Sequence, residues 1–393
     1  MRKILVMIPA GEVYNHACVR WYDYLNVARN IDSYHNIGDA FVYDSSLKLL
    51  AYDHIDVLDI VSPSPADIER YNAHYDYVFL RGSNYIHRGM EWENAVAVLE
   101  KLKIPVLAFG IGAQASCQGE LTLSAETTRV LRLIADSTAS VGVRGAYTAE
   151  VLWNLGIKNA RVVGCPTAFR RNDPALRIDL PPLESVRCVG FTVRREVSSD
   201  YARSIERYLT VHRDSIKAMA ARFDVELMAQ GEVEEKKLVL GDARQRAEAL
   251  ATLRSNDWVA QWFLDEAILD LYTSRMFYSD VVADYDARLA QKDLVLGYRL
   301  HGNLMALANA VPAIYFTYDT RTAEFAETFA IPSYDVFSGK PFDLEALWRQ
   351  SLFDAFNAAY RLRYDAMRDF LDENAVAHTM RVSPAAVTEQ PAA

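Results

Sequence analysis

Short apolar segments alternate with longer segments of helical periodicity along almost the whole chain. In the first half, six segments are predicted to be strands because they are short and nearly all apolar: 3–8, 55–60, 76–80, 104–110, 140–143 and 160–163. Between them, apolar residues recur at helical spacing over 92–102, 124–134 and 146–155. This alternation predicts βαβ units around a parallel sheet covered on both faces.

A second α/β pattern follows a proline-rich segment at 171–183, which lacks periodicity and is predicted to be a linker. The predicted strands of this half are 187–193, 225–229, 293–297 and 311–316, and the predicted helices are 202–222, 301–310 and 322–329. A stretch at 233–291 is mostly helical in pattern, and residues 343–375 form one long helical pattern. The tail at 383–393 is predicted to be disordered.

The pattern therefore predicts an α/β protein built from two Rossmann-like domains. We expect an N-terminal domain at 1–175, a C-terminal domain at 184–340, and a helical segment at 341–380 that packs back on the first domain. Such an arrangement is GT-B-like, with a cleft between the domains and a returning C-terminal helix. Ligands are expected in that cleft, at the carboxyl ends of the strands.

Composition narrows the choice of ligands. The chain of 393 residues is 51% hydrophobic and 24% charged, which is typical of a globular protein. Its 42 Lys and Arg against 52 Asp and Glu give a net charge of -10, so nucleic acid is not an expected partner. Any anionic ligand must be held by local Arg or His side chains.

The cysteines and the start of the chain indicate a reducing compartment. Cys18, Cys117, Cys165 and Cys188 form no C-x-x-C pair and are expected to be free thiols. Glu12 closes the first apolar run, which is therefore predicted to be a strand instead of a signal peptide. No segment has the uncharged apolar length of a membrane span. We expect a cytoplasmic protein and leave open a peripheral encounter with the inner face of the membrane.

Two segments match the sequence patterns of known binding sites, but the elements predicted around them do not fit those sites. The run from Gly110 to Ala115 fits the dinucleotide fingerprint G-x-G-x-x-A, yet a loop follows it and the next helix begins near Ser124. We interpret it as a tight turn that lines the cleft. Asp284 and Asp286 form a D-x-D inside a helical stretch, where they share no face, and we interpret them as a solvated helix surface. No metal site is expected.

The segment from Gly297 to Asn303 carries the most informative chemistry, since it stands where an apolar strand ends and an apolar helix begins. Arg299 and His301 are expected at the mouth of the cleft, with Leu300 turned into the core. The first backbone N–H groups of the helix add capacity to bind an anion. Arginines also close other strands of this acidic chain: Arg144, Arg194, Arg195 and Arg321. Arginine suits bidentate capture of phosphate and carboxylate.

Together these segments resemble the polysaccharide pyruvyl transferase family. The resemblance rests on N-x-G-D at 36–39, G-I-G at 110–112, S-x-x-x-R with Y-T-A-E-V-L and L-G-I-K-N at 140–159, R-L-H-x-N at 299–303, and V-P-x-I-x-x-x-Y-D at 311–319. It implies a GT-B-like fold and transfer of pyruvate from phosphoenolpyruvate to sugar hydroxyls. The product is usually a cyclic ketal on a cell-surface polysaccharide or its lipid-linked precursor.

The resemblance also implies site residues. Catalytic residues fall on Arg144, Arg299 and His301. Substrate-binding residues are expected among Asn36, Asp39, Arg81, Asn84, Gly110, Gly112, Gln114, Arg194, Asn303, Tyr318, Asp319 and Arg321. Arg321 stands where the family usually has Lys, and the usual Gly-rich run is replaced by residues 81–84. The first domain is expected to bind the acceptor and the second to bind the donor.

Phosphoenolpyruvate fits these residues chemically. It carries a phosphate and a carboxylate, so it needs two cationic groups, which the arginines supply. His301 is the candidate to donate and accept a proton near neutral pH. No cofactor is expected beyond phosphoenolpyruvate as co-substrate, and the acceptor is expected to be a glycan or a lipid-linked sugar.

A long insertion separates the first strand from Asn36. Its aromatic residues Trp21, Tyr22, Tyr24 and Tyr34 are typical of a surface that stacks on a sugar ring, and equally of core packing. Two other functions stay open at this stage. One is a GT-B glycosyltransferase that uses a nucleotide sugar, and the other is a catalytically silent member that binds a glycan or a partner protein. The acceptor sugar and the oligomeric state are also open.

Overall fold

The computed structural model describes residues 2–8, 31–32, 36–90, 92–115, 119, 121–199 and 202–383. Several predictions fall outside these residues: those on the aromatic insertion with Trp21, Tyr22, Tyr24 and Tyr34, on Cys18 and Cys117, and on nearly all of the tail. Cys165 and Cys188, which are described, are both free thiols.

The first half contains a four-stranded parallel sheet with the order β2-β1-β3-β4. Its strands are β1 (Lys3–Met7), β2 (His54–Val57), β3 (Tyr77–Leu80) and β4 (Val106–Ala108). A parallel pair, β5 (Val141–Val143) and β6 (Ala160–Val162), extends it through a bridge between Ile111 and Val143. All six strands lie within the segments that the apolar pattern predicts, except that β2 begins one residue earlier.

Apolar residues on both faces of β1 explain why this strand shows no polar alternation. Ile4 and Val6 belong to one hydrophobic cluster, and Leu5 and Met7 belong to another. Helices pack on both faces because neither face of a parallel sheet can be left in water. The helices of this half, within the described residues, are α1 (Ile37–Leu49), α2 (Pro65–His74), α3 (Glu93–Leu99), α4 (Ala125–Ser137) and α5 (Ala146–Asn154).

The second half contains a six-stranded parallel sheet with the order β9-β8-β7-β10-β11-β12. Its strands are β7 (Cys188–Thr192), β8 (Asp224–Met228), β9 (Met276–Phe277), β10 (Leu294–Gly297), β11 (Ala313–Thr317) and β12 (Ser333–Asp335). The chain therefore enters this sheet at the central strand β7 and adds β8 and β9 on one side. It then returns to the centre with β10 and adds β11 and β12 on the other side. A crevice opens at the carboxyl ends of β7 and β10, where the winding direction changes.

The helices of the second half, in the part of the chain that the structure describes, alternate with these strands. They are α6 (Ile205–Ala220), α7 (Val233–Leu240), α8 (Ala243–Ser255), α9 (Asp257–Trp262), α10 (Glu266–Ser274), α11 (Val282–Leu289), α12 (Leu300–Ala308), α13 (Thr320–Phe329), α14 (Leu344–Leu347) and α15 (Gln350–Glu373). The pattern did not reveal β9 and β12, because both are very short strands at the sheet edges. The long pattern at 343–375 is split between α14 and α15.

Helix α15 returns to the first half, as expected for a GT-B-like fold. The ring of Phe370 lies edge-on to Phe109, with 6.0 Å between centroids. The Arg363 guanidinium donates to the backbone oxygen of Val162 at 2.9 Å. These contacts anchor the helix against the ends of β4 and β6, so the C-terminal segment covers the first sheet although it follows the second in sequence.

Arg170 is buried between the two halves. Its Nη1 lies 2.9 Å from Asp44 Oδ2 in α1, and its Nη2 lies 2.9 Å from Asp286 Oδ2 in α11. Asp286 also accepts a hydrogen bond from the Asn309 amide at 2.6 Å. The interpretation of the D-x-D as a solvated surface is therefore wrong for Asp286, while Asp284 is exposed as expected. The partner of Asp286 is distant in sequence, so the local pattern could not indicate its burial.

An aromatic cluster lies under the crevice and encloses His212. The imidazole is fully buried, and its ring centroid is 4.2 Å from that of Tyr298 and 5.7 Å from that of Phe191. Neither ring nitrogen hydrogen-bonds to any described residue. Burial, together with the positive charge of Arg299, lowers the pKa of His212 to about 3. The folded protein therefore holds this histidine neutral.

We expect His212→Phe to make stability less dependent on pH. As the pH falls below about 6.5, the unfolded chain protonates His212 and the folded chain does not, until the folded pKa of about 3 is reached. The free energy of unfolding should thus fall by about 1.4 kcal/mol per pH unit for this group. Urea titrations at about pH 7 and about pH 5 measure the slope. The exposed control His74→Phe should keep the wild-type slope, and an unchanged slope in His212→Phe would contradict the prediction.

Candidate active site

A cleft of about 620 Å³ lies between the two halves, at the carboxyl ends of their strands. The segments after β3, β4 and β5 and the start of α1 form one wall, and the segments after β7, β10 and β11 form the other. The predicted site residues that line it are Asn36, Asp39, Asn84, Gln114, Arg144, Arg194, His301 and Arg321. The topology brings these strand ends together, as the sequence predicted.

A smaller cavity of about 50 Å³ adjoins the cleft at the point where the second sheet changes its winding direction. We call it the chamber. Residues of both halves line it: Asn36, Arg194, Gln230, Tyr298, Arg299, Leu300, His301 and Arg321. It shares Asn36, Arg194, His301 and Arg321 with the cleft, so the two cavities are neighbouring parts of one site.

His301 is the second residue of α12 and keeps part of its side chain exposed. Burial and the positive charges of Arg321, Arg144 and Arg81 lower its pKa to about 3. The imidazole is therefore neutral in the free protein. Its Nδ1 lies 3.9 Å from the Sγ of Cys165.

Cys165 contacts this neutral imidazole as a thiol. Burial raises the pKa of Cys165 to about 11, so the group is a thiol and not a thiolate. The thiol hydrogen is directed to the Thr167 hydroxyl at 3.5 Å, and the role of His301 Nδ1 in its contact with the sulfur depends on the tautomer of the ring. The sequence reasoning treated Cys165 only as a free thiol, and no local signal linked it to His301.

Arg144 does more than line the cleft. Its Nε lies 3.2 Å from Glu324 Oε2 in α13, and both side chains are almost fully buried. The carboxylate of Glu324 also accepts the backbone N–H of Thr148 at 2.6 Å. A second guanidinium nitrogen of Arg144 donates to the Ala113 carbonyl at 2.6 Å. Arg144 thus joins the two halves at the cleft wall.

The G-I-G motif makes room for this arginine. A Cβ at Gly112 would overlap the Arg144 guanidinium, and a Cβ at Gly145 would overlap Glu324. Gly110 has a φ of +72°, in the region that favours glycine. The motif is therefore a turn at the strand end, as interpreted from the sequence. Gly110 and Gly112 do not line the cleft, contrary to the expectation for this turn, and Gln114 is the residue of the run that does.

Arg299 is not at the mouth of the cleft, where the sequence analysis placed it. Its side chain is buried beside the chamber, with Nε donating to the Val193 carbonyl at 2.9 Å and Nη2 paired with Glu232. Glu232 follows β8, and the parallel order β8-β7-β10 brings it beside the end of β10. This partner lies far from Arg299 in sequence, so the strand-end pattern could not show that Arg299 is drawn inward.

Arg194 and Arg321 converge on one phenol. The Tyr318 hydroxyl accepts a hydrogen bond from Arg321 Nη2 at 3.2 Å and another from Arg194 Nη1. Arg321 Nε makes no hydrogen bond with the described residues and lies 3.8 Å from Asp319. Two guanidinium groups are thus held close together at one hydroxyl beside the cleft, an arrangement that suits an anion with several oxygens.

The remaining predicted residues have supporting positions. Asn36 caps α1 through Gly38, and Arg81 pairs with Asp39 at 3.3 Å from behind the wall. Gln114 donates to Asp319 at 3.1 Å and accepts from Asn84, which links the two walls. Asp319 also caps α13, and it lies behind the wall with Tyr318.

Asn303 is fully buried and lines neither the cleft nor the chamber. Its Oδ1 accepts from Thr192 at 2.8 Å and its Nδ2 donates to the Gly297 carbonyl at 3.0 Å. It therefore fixes α12 on β7 and β10. The residues that the sequence reasoning missed are Cys165, Glu232, Glu324 and Gln230.

Two further properties concern the described residues alone. None of their helices combines the length and the apolar character needed to span a membrane. They also contain no group of three or more His, Cys, Asp or Glu side chains placed to hold a metal ion.

Several known structures show a weak overall similarity to this chain. A UDP-GlcNAc 2-epimerase from Neisseria meningitidis bound to UDP-GlcNAc is 7% identical, with a TM-score of 0.43 over 94% of this chain and 99% of that chain. One from Methanocaldococcus jannaschii is 13% identical, with a TM-score of 0.41 over 92% and 98%. HepE of Anabaena, in complex with UDP and glucose, is 12% identical, with a TM-score of 0.41 over 95% and 96%.

Sequence comparison assigns the family. No curated protein matches the chain. Residues 36–320 match the family described as Polysaccharide pyruvyl transferase, and this range contains the motifs at both walls of the cleft. The chain, a transferase with an α/β, GT-B-like fold, therefore belongs to the polysaccharide pyruvyl transferase family.

Proposed function

We propose that this protein transfers pyruvate from phosphoenolpyruvate to hydroxyls of a sugar and forms a ketal on a polysaccharide or its lipid-linked precursor. The observation that supports the proposal most is the convergence of Arg194 and Arg321 beside a neutral His301 at the ends of β7, β10 and β11. This combination suits a donor that carries anionic oxygens and needs a proton.

Arg194 and Arg321 are the natural ligands for the phosphate. Their guanidinium groups are already held in place by Tyr318, so little side-chain entropy is lost on binding. The first backbone N–H groups of α12 add further donors, because no side chain caps this helix. Arg144 contributes positive charge from the opposite wall, although Glu324 holds part of its guanidinium.

Donor binding changes the protonation of His301. In the free protein, Arg321, Arg144 and Arg81 repel a proton from the imidazole. An anionic donor offsets these charges, so His301 takes up a proton when the donor binds. The thiol of Cys165 can contact both the neutral and the protonated form of His301. It can donate a hydrogen bond to an unprotonated Nδ1 and accept a weak one from a protonated Nδ1.

The chemistry then needs one group that gives and takes a proton. The imidazolium of His301 donates its Nε2 proton to C3 of the enol, and C2 becomes electrophilic. A sugar oxygen bonds to C2 and gives its proton to the neutral imidazole. The bond between C2 and the phosphate oxygen breaks, and a second sugar hydroxyl bonds to C2 while its proton passes to the departing phosphate. The products are the ketal and inorganic phosphate.

Incubation with labelled phosphoenolpyruvate and an extract of glycans tests the proposal. Mass spectrometry should find a pyruvyl ketal on a sugar, and phosphate release should depend on the acceptor. Thermal unfolding should show stabilisation by phosphoenolpyruvate. Stabilisation and turnover with a nucleotide sugar alone would assign a glycosyltransferase instead. Response to neither donor would assign a silent, glycan-binding protein.

We expect Arg321→Ala to weaken phosphoenolpyruvate binding by about 10- to 100-fold, since it removes a charged hydrogen-bond donor. Arg144→Ala should instead lower the free energy of unfolding by about 3 to 5 kcal/mol, because Glu324 is left buried without its partner. Calorimetry and urea titration separate the two effects. The control Arg361→Ala, on the exposed face of α15, should change neither. Wild-type donor affinity in Arg321→Ala would refute its role.

His301→Gln should bind phosphoenolpyruvate with nearly wild-type affinity and lose kcat by ~10²- to 10⁴-fold, the usual contribution of acid–base catalysis. Glutamine keeps hydrogen-bonding capacity and cannot exchange a proton near neutral pH. Titration measures donor affinity, and product detection measures kcat. Turnover within a few-fold of wild type would remove His301 from proton transfer, and loss of donor binding would make it a phosphate ligand.

Cys165→Ala should lower kcat and disturb the tautomer of His301, whereas Cys165→Ser, which keeps a donor, should restore much of both. Nitrogen-15 NMR of labelled histidine reports which ring nitrogen carries the proton, a property that a merely structural change would not alter. Cys188→Ala provides the control on the other described free thiol. The same His301 tautomer in wild type and in Cys165→Ala would show that the thiol does not position His301.

A further inference from the structure

Trp258 lines the cleft and has no part in the site described so far. It is the second residue of α9 and is 49% exposed, whereas Trp262 on the same helix packs against the hydrophobic core. Trp153 is exposed to a similar extent, at 44%, but it lies on α5 and does not line the cleft. An aromatic ring that stays open inside a concave surface is typical of a ligand-binding site.

The cleft wall around Trp258 combines apolar and polar side chains. Leu209 and Val259 line the cleft and are buried, and their helices α6 and α9 pack together. Asn256 caps α9, and its Oδ1 accepts the Val259 N–H at 3.0 Å. The amide N–H groups of Asn256 are therefore directed away from the helix. Residues 196–198, which follow β7, also line this wall.

Glu196 adds a carboxylate to the same wall. The neighbouring Arg195 is paired with Glu234 and Glu235, so it does not neutralise Glu196. An amide that donates and a carboxylate that accepts can bind several hydroxyl groups of one ligand. An aromatic face together with such groups suits a ring that is apolar on one face and carries hydroxyls at its edge.

The charge near Glu196 favours a neutral ligand. Burial and the negative charges of Glu232 and Glu234 raise the pKa of the Glu196 carboxyl. A field that disfavours one more negative charge on Glu196 would also repel a phosphate. The groups that suit an anion, Arg194 and Arg321, are instead held together at Tyr318.

We propose that Trp258 is a stacking platform for a neutral sugar ring of the acceptor, whose hydroxyls bind to Asn256 and Glu196. This inference rests on the proposed function, since it assigns the place of the acceptor. The C–H face of a pyranose packs on the indole, and its hydroxyls reach the amide and the carboxylate. His301 lines the same cleft, so the acceptor and the donor share one cavity. The second half then contacts both substrates, whereas the sequence analysis expected the acceptor on the first half.

NMR titration of the full-length protein with methyl glucoside, methyl galactoside and methyl mannoside tests the platform. The indole N–H resonance that disappears in Trp258→Ala identifies this side chain. At least one of the three pyranosides should shift it in a saturable way, and UDP, the nucleotide probe, should not. Trp258→Ala should weaken binding of that pyranoside about 10- to 100-fold, while Trp258→Phe keeps an aromatic face and retains most of the affinity. The exposed control Trp153→Ala should bind as the wild type does.

Kinetics with the acceptor found by mass spectrometry provide a second measurement. Trp258→Ala should raise the KM for the acceptor about 10- to 100-fold and leave stabilisation by phosphoenolpyruvate unchanged. Glu196→Ala should raise the same KM about 10-fold, because it removes a charged hydrogen-bond acceptor. Glu150→Ala, on the exposed side of α5, is the matched control and should leave this KM unchanged.

The outcomes separate the platform from the proposed function. A wild-type acceptor KM in Trp258→Ala would overturn the platform, and so would a shift of the Trp258 resonance by UDP, which would assign the indole to a nucleotide base. If a pyranoside binds in a Trp258-dependent way and phosphoenolpyruvate neither binds nor reacts, the platform stands and the proposed donor is wrong. If phosphoenolpyruvate binds and none of the pyranosides shifts the resonance, the donor stands and the platform is wrong.

Discussion

The buried ion pair between Arg144 and Glu324 is the constraint on which the site depends. Arg144 follows β5 in the first half, and Glu324 lies on α13 in the second. Neither charge could be buried alone without a cost of several kcal/mol, so the two halves must meet at this point. Because Glu324 also holds Thr148, the pair fixes the distance between the strand ends of both sheets.

The rest of the interdomain contact is arranged around that pair. Gly112 and Gly145 lack side chains where the two charged groups pass. On another side, Arg170 joins Asp44 of the first half to Asp286 of the second, again as a buried ionic group with partners on both sides. Such contacts hold the cleft walls in one geometry before a ligand arrives, which limits the entropy lost on binding.

The site concentrates positive charge in a protein of net charge -10. Arg194 and Arg321 meet at Tyr318, and the neighbouring arginines keep His301 neutral. In the proposed function, the same charges that attract an anionic donor withhold a proton from His301 until the donor is bound. The proposed function therefore couples donor binding to protonation of His301.

The amino-acid sequence by itself determined the α/β class, the positions of nearly all core strands, the basic strand ends and the helix that starts at the R-L-H motif. These features depend on local periodicity and on residues at a strand end, which are visible in a short window. Only the tertiary structure decided which of the charged residues pair with one another. It pairs Arg299 with Glu232, Arg144 with Glu324 and Arg170 with Asp286. It also places Gln230 between the N-terminal ends of two helices. Each of these partners is distant along the chain, and no local pattern specifies which distant side chain the packing of parallel strands will bring near.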